Sequence, residues 1–193
     1  MTTSMTHPLI RTVDGAELPA VGTWNIDPAH TSAEFVARHL MVTKVRGGFA
    51  SITGTIQVAD DPADSLVEVV IDTESVSTGA SDRDDHIKSA DFLDVAGYPE
   101  MRFASTGIQP AGRAWKLTGD LTVKDVTRPV ALDLEFVGIV DDPWGNAKAA
   151  FAATTEINRE DWGLTWNVAL ETGGVLVSKK ITIEIEAQAT LAA

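Results

Sequence analysis

Cysteine is absent from this 193-residue chain. That excludes disulfides, thiolate nucleophiles and cysteine-based zinc sites. Basic residues are scarce: 15 Lys and Arg stand against 28 Asp and Glu, a formal net charge of −13. Such a balance disfavours DNA, RNA and anionic membrane surfaces, which need basic patches, so no nucleic-acid partner is expected. No apolar run approaches the roughly 18 residues that span a bilayer as a helix. Four histidines are present, but no two have tight ligand spacing, so no metal site and no cofactor are expected. Nucleophile elbows, Walker loops and dinucleotide fingerprints are missing as well. The N-terminus shows neither the basic start nor the apolar stretch of a secretory signal, and a cytoplasmic location is expected on that ground.

What the chain does have is period-2 alternation. Ile181, Ile183, Ile185, Ala187, Ala189 and Leu191 alternate with Lys180, Thr182, Glu184, Glu186, Gln188 and Thr190. Successive strand side chains point to opposite faces, so this pattern builds a sheet with one apolar and one wet face. It recurs at Ile52–Val58, Val67–Ile71, Leu117–Val123, Val130–Phe136 and Ala147–Ile157. Trp24 lies in an earlier strand, and Met101 and Phe103 open another. In the strand from His30 to Leu40 both faces are partly apolar. Glycines within strands, at 54, 119 and 138, suit the bends that curl a sheet. The fold expected is all-β: an eight-stranded antiparallel lipocalin-like barrel with one or two short helices near its mouth. Eight strands enclose an interior that either just fills with side chains or holds one small ligand.

Local signals add detail. Residues 1–22, Thr-rich with Pro8 and Pro19, read as a flexible arm, leaving 23–193 as the barrel domain. Gly47-Gly48 reads as a break, and Lys124 to Pro129 as a turn. Ser81 to Val95 reads as a helix, with Ser81 and Asp84 as a capping box. His86 falls among the acids of its first turn, where Asp82 or Asp85 would pair with it. Asn158 to Gly174, with Trp162 and Trp166, reads as irregular.

Ordered blocks then bring a resemblance into view. They include Trp24-Asn25-Ile26-Asp27-Pro28-Ala29-His30-Thr31, Arg38-His39-Leu40 and Val45-Arg46-Gly47-Gly48-Phe49. Arg83-Asp84-Asp85-His86, Ser89 to Asp94, Tyr98 to Phe103, Gly119 to Thr127 and Asn158-Arg159-Glu160-Asp161-Trp162-Gly163-Leu164 follow in the same order. From about Gly22 to Ala189 the chain resembles the YceI-like family of lipocalin-shaped barrels. The resemblance implies a helix beside the barrel mouth and a long apolar tunnel holding a polyisoprenoid or similar amphiphile. It also implies a link to isoprenoid quinone metabolism, transport or storage, or to stress responses, and it admits a homodimer. No catalytic set comes with it. Two departures stand out: many members are exported, and Ser178-Lys179-Lys180 replaces a frequent acidic turn.

The expected partner is therefore a long-chain apolar or isoprenoid ligand. Its head group would meet His30, Arg38, His39, Arg83 and His86, with Arg offering a planar fork. Its chain would lie along Trp24, Phe35, Phe49, Ile52, Ile56, Val67, Val69, Ile71, Phe92, Met101, Phe103, Leu121, Leu132, Leu134, Phe136, Phe151 and Trp162, the last as a plug. Two alternatives stay open: an enzyme acting on such a lipid through Arg38, His39 or His86, and a filled barrel working through its outer surface in stress or interaction.

Overall fold

The structure is a computed structural model that describes residues 7–171 and 174–192. Thirteen strands are present among them. β1 (Ile10–Val13) and β2 (Ala16–Pro19) form a separate hairpin. The large sheet comprises β3 (Gly22–Ile26), β4 (Ser32–His39), β5 (Thr43–Phe49), β6 (Ile52–Val58), β7 (Leu66–Asp72), β8 (Val76–Ser77), β9 (Glu100–Ala111), β10 (Ala114–Val123), β11 (Val126–Asp141), β12 (Ala147–Asn158) and β13 (Lys180–Leu191). One α-helix, α1 (Ser81–Lys88), lies between β8 and β9.

All pairings are antiparallel, and β12 closes the sheet onto β13 over its whole length. The closed ring has eight staves, two of them interrupted. The first stave is β3 then β4, which pair in turn with the C-terminal and N-terminal parts of β13. Asp27-Pro28 makes the interruption: a 3-10 turn starts there, with the Asp27 carboxylate accepting from Ala29 N–H. The second stave is β5 then β6, paired with β4 and β3 respectively. The eight-stranded barrel expected from the alternation is what the chain forms.

Several local expectations are corrected. Gly47-Gly48 does not break the chain but sits inside β5. A Cβ at Gly47 would lie 2.4 Å from the Phe35 ring, so glycine there lets Phe35 lie across the strand inside the barrel. The β10–β11 turn is only Lys124-Asp125, both with positive φ, and β11 resumes at Val126. Pro129 is tolerated within β11 because pairing with β12 begins only at Asp133. Register shifts fall at Gly119 and Gly138, the latter with φ 143°, as expected of glycines that curl a sheet.

The helix stops at Lys88 rather than Val95, because Ser89 Oγ bonds back to His86 O and the chain turns through Ser89–Asp94. Its N-cap is Ala80, with no side-chain cap. Ser81 and Asp84 form no capping box; Asp84 instead accepts from the amide and hydroxyl of Thr78 and the hydroxyl of Ser77. The Thr78 hydroxyl is the main cause holding the Asp84 carboxyl below its usual range.

Nor is the N-terminal segment an arm where it is described. β1 and β2 pack on the end of the barrel, burying Ala16 and Leu18 against Trp24, Val58, Trp115 and Ala149. Arg11 fastens the hairpin by donating to Pro19 O, Ala59 O and Asp60 O. Residues 1–6 lie outside the described residues. This hairpin end is the floor. At the opposite end, the mouth, two segments border the opening: Thr73–Pro99, carrying α1, and residues 159–171 with 174–179.

Candidate functional site

Between floor and mouth the barrel encloses a cavity of about 550 Å³, lined overwhelmingly by apolar side chains. Its cause is visible strand by strand. Val67, Val69 and Ile71 of β7 point inward, as do Phe103 of β9, Leu121 of β10, Leu134 and Phe136 of β11, and Ile183 and Ile185 of β13. These are large apolar residues facing the middle of a closed barrel, yet none is fully buried. Close-packed interiors leave few voids, so their residual exposure belongs to the hollow. Size and lining match the usual range for ligand pockets, about 300–1,000 Å³. The filled-barrel alternative does not describe this interior.

Phe35, Phe49, Ile52, Ile56, Val67, Val69, Ile71, Phe92, Met101, Phe103, Leu121, Leu132, Leu134, Phe136 and Phe151 all border the cavity. β4 resolves its ambiguous faces by turning Ala33, Phe35, Ala37 and His39 toward it. Trp24 and Trp162 are corrections. Trp24 is wholly buried in the floor cluster, its Nε1 donating to Ala20 O. Trp162 is 3% exposed and packs behind the wall with Val76, Leu93, Met101 and Val123, its Nε1 donating to Leu121 O. An indole buries well only where its N–H finds an acceptor, and each of these two has a backbone carbonyl.

Of the five expected head-group residues, four border the mouth end of the cavity: Arg38, His39, Arg83 and His86. His30 does not. It lies on the outside of the first stave, 60% exposed, with Nδ1 3.0 Å from Asp27. Arg83 is tied to Thr78, donating to its hydroxyl and its carbonyl. His86 Nε2 is 3.0 Å from Asp91, not from Asp82 or Asp85, because the turn after α1 brings Asp91 back to it. Among the described residues no cluster of three or more His, Asp or Glu could hold a metal ion, and no helix is long and apolar enough to cross a membrane.

Three rings join the two mouth segments. His86 stands edge-on to Trp166 at 4.5 Å and to Phe92 at 5.1 Å, and Phe92 lies 5.3 Å from Trp166. Residues 176–178 are anchored to the end of β4 by Ser178 N–H donating to Arg38 O, Arg38 N–H donating to Ser178 Oγ, and Leu40 N–H donating to Leu176 O. The Asn167 amide holds Val177 in the same segment.

Arg159 stands outside the expected head-group set. It is 4% exposed and borders the lumen. Its Nε donates to Ser178 O at 3.0 Å and its Nη1 to Leu164 O, while Phe92 lies with its ring centroid 5.8 Å from the guanidinium carbon. Nη2 is buried with no hydrogen-bond partner. Burial pulls this guanidinium below its ordinary pKa, against the neighbouring Glu160 carboxylate. The residue stands inside Asn158–Leu164, one of the motif blocks, but a lone Arg beside Glu160 and Asp161 gives no sequence sign that it will be buried without a carboxylate.

A family model described as the YceI-like domain matches residues 24–189. A UPF0312 protein of Pectobacterium atrosepticum is 37% identical over 152 residues, spanning 78% of this chain and 79% of that one. Protein YceI of Escherichia coli O157:H7 is 39% identical over 136 residues, or 70% and 71% of the two chains. Among solved structures, the Campylobacter jejuni YceI protein superposes with a TM-score of 0.68 at 27% identity, over 81% of this chain and 90% of that one. A polyisoprenoid binding domain from Saccharophagus degradans shares the fold, with a TM-score of 0.65 at 14% identity over 88% and 98% of the chains. The extent of these matches places the barrel: this chain belongs to the YceI-like domain family.

Proposed function

We propose that this protein binds a long-chain isoprenoid-type lipid, a polyprenyl or quinone chain, in the barrel lumen, and that it carries or stores that lipid. The observation that carries the reading is the hollow itself: about 550 Å³ bounded by half-buried Val, Ile, Leu and Phe in the middle of a closed barrel. Apolar burial yields roughly 0.8 kcal/mol per methylene, so a chain of many carbons binds tightly with few polar contacts. A polar void of that size would hold ordered water, whereas an apolar one favours an apolar guest. The solved Saccharophagus degradans relative, described as a polyisoprenoid binding domain, supports the choice of chain. Native mass spectrometry of protein extracted gently from lipid-replete cells tests the reading. A lipid adduct is expected, and delipidated protein is expected to take up geranylgeraniol. Bare polypeptide in the first experiment together with no uptake in the second would overturn it.

A further inference from the structure

The mouth of the cavity has a charge pattern unlike the rest of the molecule. The chain carries −13 overall, yet the charged groups bordering the cavity are Arg38, Arg83 and Arg159 against one carboxylate, Glu34, with the imidazoles of His39 and His86 beside them. Glu34 is already 3.6 Å from Arg46 on the outer surface. Arg11, Arg46 and Arg102 each meet a carboxylate elsewhere on the molecule. Among the described residues Arg38, Arg83 and Arg159 have none within 4.0 Å.

Arg159 is the most demanding of the three. A buried cation is costly unless it is paired and fully hydrogen-bonded. Arginine cannot escape the cost by losing its proton near neutral pH. Its two protein acceptors, Ser178 O and Leu164 O, are neutral and occupy only Nε and Nη1. The adjacent Glu160 is held 2.9 Å from Lys179. Nη2 is left over.

On the reading that the lumen holds a lipid, we propose that Arg159 anchors an anionic head group, a carboxylate or phosphate oxygen, just inside the mouth. The chain then runs down the barrel toward Leu18 and Trp115 at the floor. Phe92 covers the guanidinium, so the head group reaches Nη2 by turning this ring aside, a side-chain rotation rather than a change of fold. Arg38 and Arg83 form the rim that draws an anion to an otherwise acidic protein.

The test compares three ligands with the same C20 chain on delipidated full-length protein: geranylgeranyl phosphate, geranylgeranoic acid and geranylgeraniol. Wild-type protein is expected to bind at least one of the anions roughly tenfold or more tighter than the alcohol, as a charge-assisted hydrogen bond in a dry site implies. Whichever anion is preferred names the head group. In Arg159→Gln that advantage is expected to fall below about twofold; Arg159→Lys is expected to keep part of it. A cooperative unfolding transition shows that each variant is folded. Should Arg159→Gln fail to fold, the side-chain N–H resonances of Arg159 in the wild type serve instead: they are expected to shift with phosphate or acid and not with alcohol. Equal binding of all three ligands by the wild type would overturn the proposal. So would an advantage that survives in Arg159→Gln, or anion binding that leaves those resonances unmoved. Uptake of none of the three would overturn the lipid reading itself, and this proposal with it; uptake of the alcohol alone overturns only the anion site.

Discussion

Floor and mouth are built from similar residue types and treat them in opposite ways. At the floor, Trp24 and Trp115 are 0% and 3% exposed and close against Ala16, Leu18, Ala149 and Ala189. At the mouth, Phe92, Leu164 and Trp166 stay half-buried and share their space with three guanidiniums. Between the two lies a middle in which, among the described residues, only Leu117, Leu132 and Ala153 form a buried cluster. The difference teaches where stability and capacity reside. Packed indoles at the floor hold the staves together; the unfilled middle and mouth leave room for a guest. A mutation should therefore separate the two according to its height in the barrel.

The largest effect is expected at the floor. Trp24→Ala removes a wholly buried indole with its hydrogen bond to Ala20 O and should cost about 3–5 kcal/mol, read as a lower midpoint in denaturant unfolding. A cost below about 1 kcal/mol would show that the floor is not where the barrel is held. Next comes Gly47→Ala, where the new Cβ meets the Phe35 ring and Thr78 Cγ2 at 2.4 and 2.7 Å. Phe35 must turn, at a cost of about 1–3 kcal/mol, and its ring intrudes on the lumen, so lipid uptake should weaken in the same variant. The sharpest contrast is Val69→Trp in the middle. The side chain faces the hollow, so the added volume enters free space and stability should change little. Affinity for a C20 chain should fall at least tenfold, or about 1.4 kcal/mol. Strong destabilisation with unchanged lipid affinity would mean that the middle is packed after all.

How legible this was in the sequence depends on what each element leaves in a single line of residues. The strands β6, β7, β10, β11, β12 and β13 were legible because each keeps one apolar face over most of its length. The barrel and ten of the lining positions follow from that. Trp24 and Trp162 were misplaced because alternation says only that a residue leaves the wet face, not whether it meets a cavity or another side chain. The floor hairpin was missed although its signal was present: Asp14-Gly15, with φ 51° and 82°, is the dipeptide that most favours a two-residue hairpin turn. Its strands are four residues each, too short for periodicity to show. The mouth was the least legible part. Arg38, His39, Arg83 and His86 were found as charged residues within family blocks, but the decisive property of Arg159, a buried fork with an open donor, arises only when Ser178 and Leu164 are brought to it across the chain.

The smallest effect lies on the wall between the two ends and isolates a term that belongs to neither. Asp27 interrupts the first stave and receives hydrogen bonds from Lys148 Nζ at 2.7 Å and from Ala29 N–H, with His30 Nδ1 3.0 Å away. Lys148 is the largest cause, with His30 and the Ala29 amide adding to it against the opposing effect of burial, and the pKa comes from 3.8 down to about 2. A carboxyl whose pKa is depressed by folding adds stability above its unfolded pKa and loses it as pH falls through the folded one. The full shift corresponds to roughly 2.5 kcal/mol, but the pair is partly open to solvent, and screening leaves about 1 kcal/mol. Unfolding free energies of the wild type and Asp27→Asn should therefore differ by about 1 kcal/mol at pH 6 and converge between pH 4 and pH 2. A gap that stays constant across that window would mean that Asp27 acts only through the geometry of its turn and not through its charge. Because the residue touches neither floor cluster nor cavity, lipid affinity at pH 6 should be the same in both proteins, which separates the wall's contribution from those of the two ends.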